Sequence, residues 1–145
     1  MIENHRKSDL HNGFHMESTV KLSDNGRLDG IPTHIWSTND AFGFTGGVVV
    51  FLGDADDNII FRSRAHTGAV DGVRVGDPSN DLYWNEEVSQ DIVDKATKLE
   101  IMHIRAPRGR IEENLDELIR IAEKIERVAE VIRDIGNTIG EIIDW

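Results

Sequence analysis

The sequence predicts a mainly β protein that ends in one long amphipathic helix. Of its 13 glycines and 9 aromatic residues, 10 and 8 respectively precede residue 105, where short apolar runs alternate with turn signals. Residues 111–143 contain no proline and repeat apolar side chains three and four positions apart. We therefore predict a β-sandwich of about six or seven strands over 14–105, a flexible arm over 1–13 and a helix over 106–145.

Composition excludes several classes of protein. The 145 residues carry 27 acidic and 16 basic side chains, for a net charge of −11, and no cysteine. A disulfide framework, a cysteine nucleophile and a zinc–thiolate site are therefore excluded, and non-specific binding to nucleic acid or anionic lipid is disfavoured. We find no signal peptide or membrane-spanning apolar stretch, so a cytoplasmic location is the default expectation.

The strands are predicted from apolar runs bounded by turns. The polar residues 1–13 lack such a run and are predicted to be an arm. The turn Asp24-Asn25-Gly26 suits a tight hairpin, because Asn-Gly tolerates the positive φ angle that such a turn needs. The predicted strands are His15–Leu22, Arg27–Ser37, Gly43–Leu52, Asn58–Arg64, Leu82–Val88 and Lys98–Arg105.

Details of these segments predict further features. The uninterrupted apolar run Val48–Leu52 indicates a strand that is buried on both faces. Pro32 indicates an edge position or a bulge. Residues 65–81 are rich in Gly, Asp, Ser and Pro, and we expect a long connection with a short strand at Gly72–Val75. Ser89–Thr97 has the composition of a short helical connection.

Two segments carry a resemblance to a known family. The hairpin GGVVVFLGDADDNIIF and the later stretch YWNEEVSQDIVDKATKLEIMHI resemble bacterial immunoglobulin-like sandwich modules. In those modules a strand, an acidic turn and a strand precede a final pair of strands joined by a short helical turn. The resemblance implies a sandwich fold and no particular activity. The cysteine pair of antibody domains is missing.

The C-terminal helix predicts self-association. Its apolar steps are close to a 3.5-residue repeat, and about 33 residues make a rod of about 50 Å that overhangs a small β-domain. A second apolar row, which includes Val128, widens the face, so that the helix either contacts two neighbours or covers its own β-domain with one flank. The predicted oligomer seam is Leu115, Leu118, Ala122, Ile125, Ala129, Ile132, Ile135, Ile139 and Ile142.

The acidic turn after the strongest strand is a candidate calcium site. Asp54, Asp56 and Asp57 place three carboxylates within four residues, and calcium takes six to eight oxygen ligands. The EF-hand pattern fails here, because its central glycine and its distal glutamate are absent. The alternative is a hairpin turn whose carboxylates cap the backbone.

Other residue clusters have ordinary structural interpretations beside their functional ones. The six histidines are expected at the surface, with His103 facing away from Ile104. The arginines of RAPRGR are expected to pair with acids rather than with a phosphate. Glu86 and Glu87 point to opposite faces of a strand, so they cannot act together on one glycosidic bond. We expect the aromatic side chains either to form a platform that binds sugar or to fill the sandwich core. These residues are Trp36, Phe42, Phe44, Tyr83 and Trp84.

These patterns favour a non-catalytic interaction or scaffold module. In this hypothesis the C-terminal helix makes a homo-oligomer, and the loops of the sandwich meet an unknown protein partner. One alternative is a membrane-active or toxin-like protein that inserts its amphipathic helix, although the polar face of that helix is acidic. The other alternative is a sandwich that binds carbohydrate or calcium. The sequence holds no recognised catalytic motif.

Overall fold

A computed structural model describes residues 1–10, 13–107, 124 and 126–128 of the chain. The described part contains eight strands and one short helix. They are β1 (Ile2–Leu10), β2 (Phe14–Leu22), β3 (Arg27–Ser37), β4 (Phe44–Gly53), β5 (Ile59–Arg62), β6 (His66–Val70), β7 (Ser79–Glu87), α1 (Gln90–Lys95) and β8 (Lys98–Pro107).

The strands form two antiparallel sheets that pack face to face. Sheet 1 has the order β1-β2-β3-β7. In sheet 2, β4 pairs with β8 along its whole length, and its other edge pairs with β6 and then with β5. The mainly β class is therefore confirmed. Immunoglobulin constant domains combine the first, second, fifth and fourth strands in one sheet, and sheet 1 has a different order.

Strand β4 is the centre of the fold. All ten of its residues are buried, which confirms the expectation for the Val48–Leu52 run. Its even-numbered residues Val48, Val50 and Leu52 face sheet 1 and pack with Val20 and other residues of that sheet. Successive side chains of a strand point to opposite faces, so Val49 and Phe51 lie on the outer face of sheet 2.

Two apolar clusters fill the space between the sheets. The larger cluster includes Val20, Leu28, Val50 and Ile101, and the smaller one is Phe14, Met16, Ile35, Phe44 and Val70. Along β2 the buried Ser18 lies between Met16 and Val20, with Thr33 and His103 as its buried polar neighbours. A polar layer thus divides the core of the sandwich.

The N-terminal arm expected from polarity is instead strand β1, which pairs with β2 over nine residues. Its inward-facing side chains Asn4, Arg6 and Ser8 are polar, which is why hydrophobicity does not indicate a strand. Asn4 Nδ2 donates to Leu99 O at 2.8 Å, and Arg6 Nη1 donates to Ile101 O at 2.8 Å. Polar side chains thus close the seam between β1 and β8.

The remaining strand predictions are mostly confirmed. Pro32 lies within a register shift between Gly30 and Thr33, so the bulge is correct, but β3 lies inside its sheet and not at an edge. The short strand of the long connection is β6, whereas Gly72–Val75 is not a strand. Helix α1 confirms the predicted helical connection before the last strand.

Most of the predicted C-terminal helix lies outside the described residues. Among the described ones, Arg127 forms an antiparallel bridge with Asn58. One uninterrupted helix over 106–145 is therefore wrong at this position, because the backbone there pairs with the turn that precedes β5. The predicted seam residues Leu115, Leu118, Ala122, Ile125, Ala129, Ile132, Ile135, Ile139 and Ile142 all lie outside the described part.

In the described part of the chain, no helix has the length and apolar character needed to cross a membrane.

Candidate functional site

One end of the sandwich exposes three large apolar side chains on two neighbouring loops. Phe42 is 68% exposed, Val73 47% and Val75 67%. Phe42 belongs to the connection between β3 and β4, and the two valines belong to the connection between β6 and β7. We call these three residues the apolar tip.

Backbone hydrogen bonds join the two loops of the apolar tip. Val73 N donates to Asn39 O at 2.8 Å, and Arg74 N donates to Asp40 O at 3.0 Å. Gly72 lies so close to the first loop that a Cβ there would be 2.7 Å from Phe42 N. The two loops therefore behave as one unit.

Side chains also organise each loop separately. Asn39 Oδ1 accepts hydrogen bonds from Ala41 N at 3.0 Å and from Phe42 N at 2.9 Å, so it fixes the backbone of the first loop at Phe42. Asp71 Oδ2 accepts from Asp77 N at 3.1 Å and closes the second loop. These local bonds are those that Asn and Asp side chains characteristically make in turns.

The outer face of sheet 1 carries three histidine–carboxylate pairs. His5 Nε2 lies 3.2 Å from Glu17 Oε2. His15 Nδ1 lies 2.7 Å from Asp9 Oδ1, and His34 Nδ1 contacts Asp81 Oδ1. The indole of Trp36 stacks with the rings of His15 and His34, at centroid distances of 5.1 Å and 4.7 Å. The expectation of surface histidines thus holds for these three, and each has an acidic partner.

His103, in contrast, is buried between the sheets. It is 3% exposed, its Nδ1 lies 2.8 Å from Ser8 Oγ and its Nε2 lies 2.7 Å from Ser18 Oγ. Ser18 Oγ in turn lies 3.0 Å from Thr33 Oγ1. Burial, with the positive charge of Arg6 and then His5 as smaller causes, lowers the pKa of His103 to about 3.

The His103 group contains serine and histidine, which are the residue types of a nucleophile and its general base. It lacks the properties that catalysis by such a pair requires. A base with a pKa of about 3 accepts a proton weakly, and a general base works best with a pKa near the working pH. The ring nitrogens contact two serine hydroxyls rather than one serine and an orienting carboxylate. We interpret this group as a hydrogen-bonded layer of the core.

A fourth histidine–carboxylate pair lies between β6 and β7. His66 Nε2 lies 2.7 Å from Glu86 Oε2, and both side chains are largely buried. The imidazole stacks on the indole of Trp84 with a centroid distance of 4.2 Å and an interplanar angle of 6°. Glu86 faces inward and Glu87 is exposed, as the strand alternation predicts.

The predicted calcium ligands lie together in the turn between β4 and β5. Asp54 Oδ1 accepts from Asp56 N at 3.0 Å and from Asn58 N at 2.9 Å, and these backbone hydrogen bonds lower the pKa of Asp54. Asp57 has a positive φ of 69° and contacts Lys98 Nζ at 3.0 Å. Among the described residues, no group of three or more acidic or histidine side chains is arranged to hold a metal ion.

The aromatic residues that were considered as a sugar platform are distributed over different parts of the fold. Phe44 and Trp84 are buried between the sheets. Trp36 and Tyr83 belong to sheet 1, where Tyr83 is 74% exposed, and Phe42 lies in the apolar tip. The sequence pattern places Phe42 among the aromatic residues and Val73 and Val75 in a short strand, and no local signal shows that the two loops lie together.

Arg105, the first arginine of RAPRGR, is buried in β8, and burial lowers its pKa. Arg108 and Arg110 lie outside the described residues.

No known protein family, curated protein or solved structure matches this chain.

Proposed function

We propose that this protein is a non-catalytic interaction module that presents the apolar tip to a protein partner and associates with further copies of itself through its C-terminal segment. The observation that carries the proposal is the exposure of Phe42, Val73 and Val75 on loops that hydrogen bonds hold together. Exposed apolar side chains that cluster in this way are typical of contact sites, whereas scattered single ones are not.

The two loops are already ordered before any partner binds, and this order favours binding through the tip. Immobilising a flexible loop costs free energy on association, and loops that are already tied together avoid part of that cost. The bonds from Val73 N to Asn39 O and from Arg74 N to Asp40 O fix the separation of the two loops. A partner therefore meets an apolar surface whose shape is set in advance.

The charges beside the tip indicate the chemistry of the partner. The Asp40 side chain is 67% exposed and the Arg74 side chain 80% exposed, with an Nη2–Oδ2 separation of 3.8 Å. The chain as a whole carries −11. A protein with an apolar cleft and a basic rim complements this surface, since interfaces combine an apolar centre with a polar border. An anionic membrane is a poorer match to the acidic chain.

Self-association through the predicted seam completes the proposal. The seam residues Leu115, Leu118, Ala122, Ile125, Ala129, Ile132, Ile135, Ile139 and Ile142 lie outside the described part, and their spacing supports helix packing. Several linked copies of one apolar tip would raise the effective affinity for a multivalent partner. The proposal requires a sandwich of any topology and does not depend on the immunoglobulin-like subclass.

The tip is tested by site-specific photo-cross-linking in cells that express the protein naturally. A photoreactive amino acid at Val75 should give a discrete adduct, and the same group at the exposed Tyr83 is the matched control. Unlabelled wild-type protein should compete for the partner and reduce the yield of the adduct. The double variant Phe42→Ser, Val73→Ser should leave that yield unchanged. The same adduct at Tyr83, or equal competition by the variant, would refute the role of the tip.

Self-association is tested separately by light scattering of the full chain over a range of concentrations. We expect an oligomer that Ile132→Asp and Ile139→Asp dissociate, because a buried charge at a helix seam is strongly unfavourable. Asp134→Asn is the control on the polar side of the same segment. A monomer at high concentration would refute this half of the proposal and leave the tip untouched.

A further inference from the structure

The outer face of sheet 2 is apolar and buried. Phe51, Met102 and Ile104 are each 1% exposed and Val49 is 6% exposed. None of them belongs to the two clusters between the sheets. Ile104 lies on this outer face, because a Cβ added at Gly47 would be 2.8 Å from Ile104 Cγ1. A surface of this kind is covered in the folded protein.

One described residue of the C-terminal segment lies on this face. Val128 is 4% exposed, and a Cβ added at Gly53 would be only 2.2 Å from Val128 Cγ2. Gly53 follows Phe51 by two residues in β4, so Val128 lies at the Gly53 end of the same outer face. Because Gly53 has no side chain, there is space for the Val128 side chain at this position.

Backbone hydrogen bonds anchor the segment there. Ile59 N donates to Glu126 O at 2.8 Å, and Val128 N donates to Asp57 O at 3.0 Å. Arg127 Nη2 also donates to Asp56 O at 3.0 Å. Three consecutive residues thus dock on the turn between β4 and β5.

The length of β4 gives the distance that the chain spans between Pro107 and the anchor at 126–128. Strand β8 ends at Pro107, which is paired with Phe44 at the start of β4, and the segment reappears beside Gly53 at the end of β4. The nine residue steps of β4 between those ends measure about 31 Å at about 3.4 Å each. The 18 residues 108–125 measure about 27 Å as an α-helix and about 60 Å as a strand.

We propose that residues 108–125 cross the outer face of sheet 2 as a helix and cover it with Ile111, Leu115, Leu118, Ala122 and Ile125. The length of the crossing, the apolar spacing and the anchor at 126–128 all agree with this occupant. The seam proposed above is then reduced to its part beyond the anchor, where Ile132, Ile135, Ile139 and Ile142 remain free to meet a second copy. The covering of sheet 2 by residues 108–125 does not depend on self-association, whereas the role of the residues beyond the anchor rests on the function proposed above.

The chain offers a direct test because it contains no cysteine, so that an introduced thiol is unique. Leu118→Cys and Ile139→Cys are made in the full chain, with Asn85→Cys on the exposed side of β7 as the freely reactive reference. Each thiol is titrated with a maleimide under native conditions, from about 1 μM to about 500 μM protein, because association depends on concentration and folding of one chain does not.

The thiol at Leu118→Cys should react at least about 100-fold more slowly than the reference at every concentration, since only local opening exposes it. Protection at Ile139→Cys should fall on dilution. Rapid labelling at position 118 would overturn the proposal, and so would protection there that is lost on dilution, because a second copy would then cover the sheet. Rapid labelling at position 139 at all concentrations would refute only self-association.

Discussion

Lowering the pH should destabilise the fold through His103, and the size of the effect follows from its environment. The ordinary pKa of histidine is 6.5, and burial lowers the pKa of His103 in the folded chain to about 3. Between these values the unfolded chain binds a proton at this site and the folded chain does not. The free energy of unfolding therefore decreases as the pH falls from about 7 towards 3, and is unaffected by this site above pH 7.

The magnitude is large for a single residue. Each pKa unit corresponds to about 1.4 kcal/mol, so the complete difference is worth about 5 kcal/mol, and the portion lost between pH 7.5 and pH 5 is about 2 kcal/mol. Small domains have unfolding free energies of about 5–15 kcal/mol in total. Acid should therefore lower the stability of the sandwich well before its ordinary carboxylates are protonated.

The assay is urea denaturation at pH 7.5 and at pH 5, at one fixed protein concentration, with His103→Gln as the comparison. The variant is expected to be less stable at pH 7.5, because glutamine cannot satisfy both Ser8 and Ser18. The difference between wild type and variant should then shrink by about 2 kcal/mol at pH 5. All other titrating groups are common to both chains, so an unchanged difference would refute the reasoning. His103→Asn, whose side chain is shorter, is a second variant for the same comparison.

Four further changes test other parts of the structure. Gly30→Ala should lower the free energy of unfolding by at least about 2 kcal/mol, because its Cβ would lie 2.1 Å from Trp84 Nε1; an unchanged urea midpoint would contradict this packing. Asp54→Ala should lower the urea midpoint, because it removes the acceptor of two backbone amides, and an unchanged midpoint would contradict this role. Val128→Ala should lower Tm through a cavity worth about 1–2 kcal/mol, and an unaltered Tm would argue against its anchoring role. A rise in Tm with calcium that Asp56→Ala abolishes would support the calcium hypothesis.

The sequence predicted the strands that apolar residues define. Val48–Leu52 was correctly expected to be buried on both faces, and Pro32 to mark a bulge. Strand β1 was missed for a physical reason. Its inward side chains Asn4 and Arg6 find acceptors on β8 that are 95 residues away, and no local pattern reports such a partner.

The functional features were harder to predict than the fold. His103 alternates with apolar neighbours in the sequence, and only the packing of sheet 2 against sheet 1 brings Ser8 of β1 and Ser18 of β2 to its two nitrogens. The apolar tip similarly depends on two loops about thirty residues apart that hydrogen bonds join. In both cases long-range contacts create the environment, and the residue types alone do not.

The edges of sheet 2 are poor sites for a partner that binds by adding a strand. Side chains of Asn4 and Arg6 occupy the carbonyl groups of Leu99 and Ile101 on β8, so that edge offers few acceptors to an added strand. On the other side of sheet 2, the amide of Ile59 is bonded to Glu126 O. Partners that bind by strand addition need a free edge, which proteins commonly block to prevent aggregation. Recognition through side chains on the loops, and association through the C-terminal segment, are the modes that such closed edges favour.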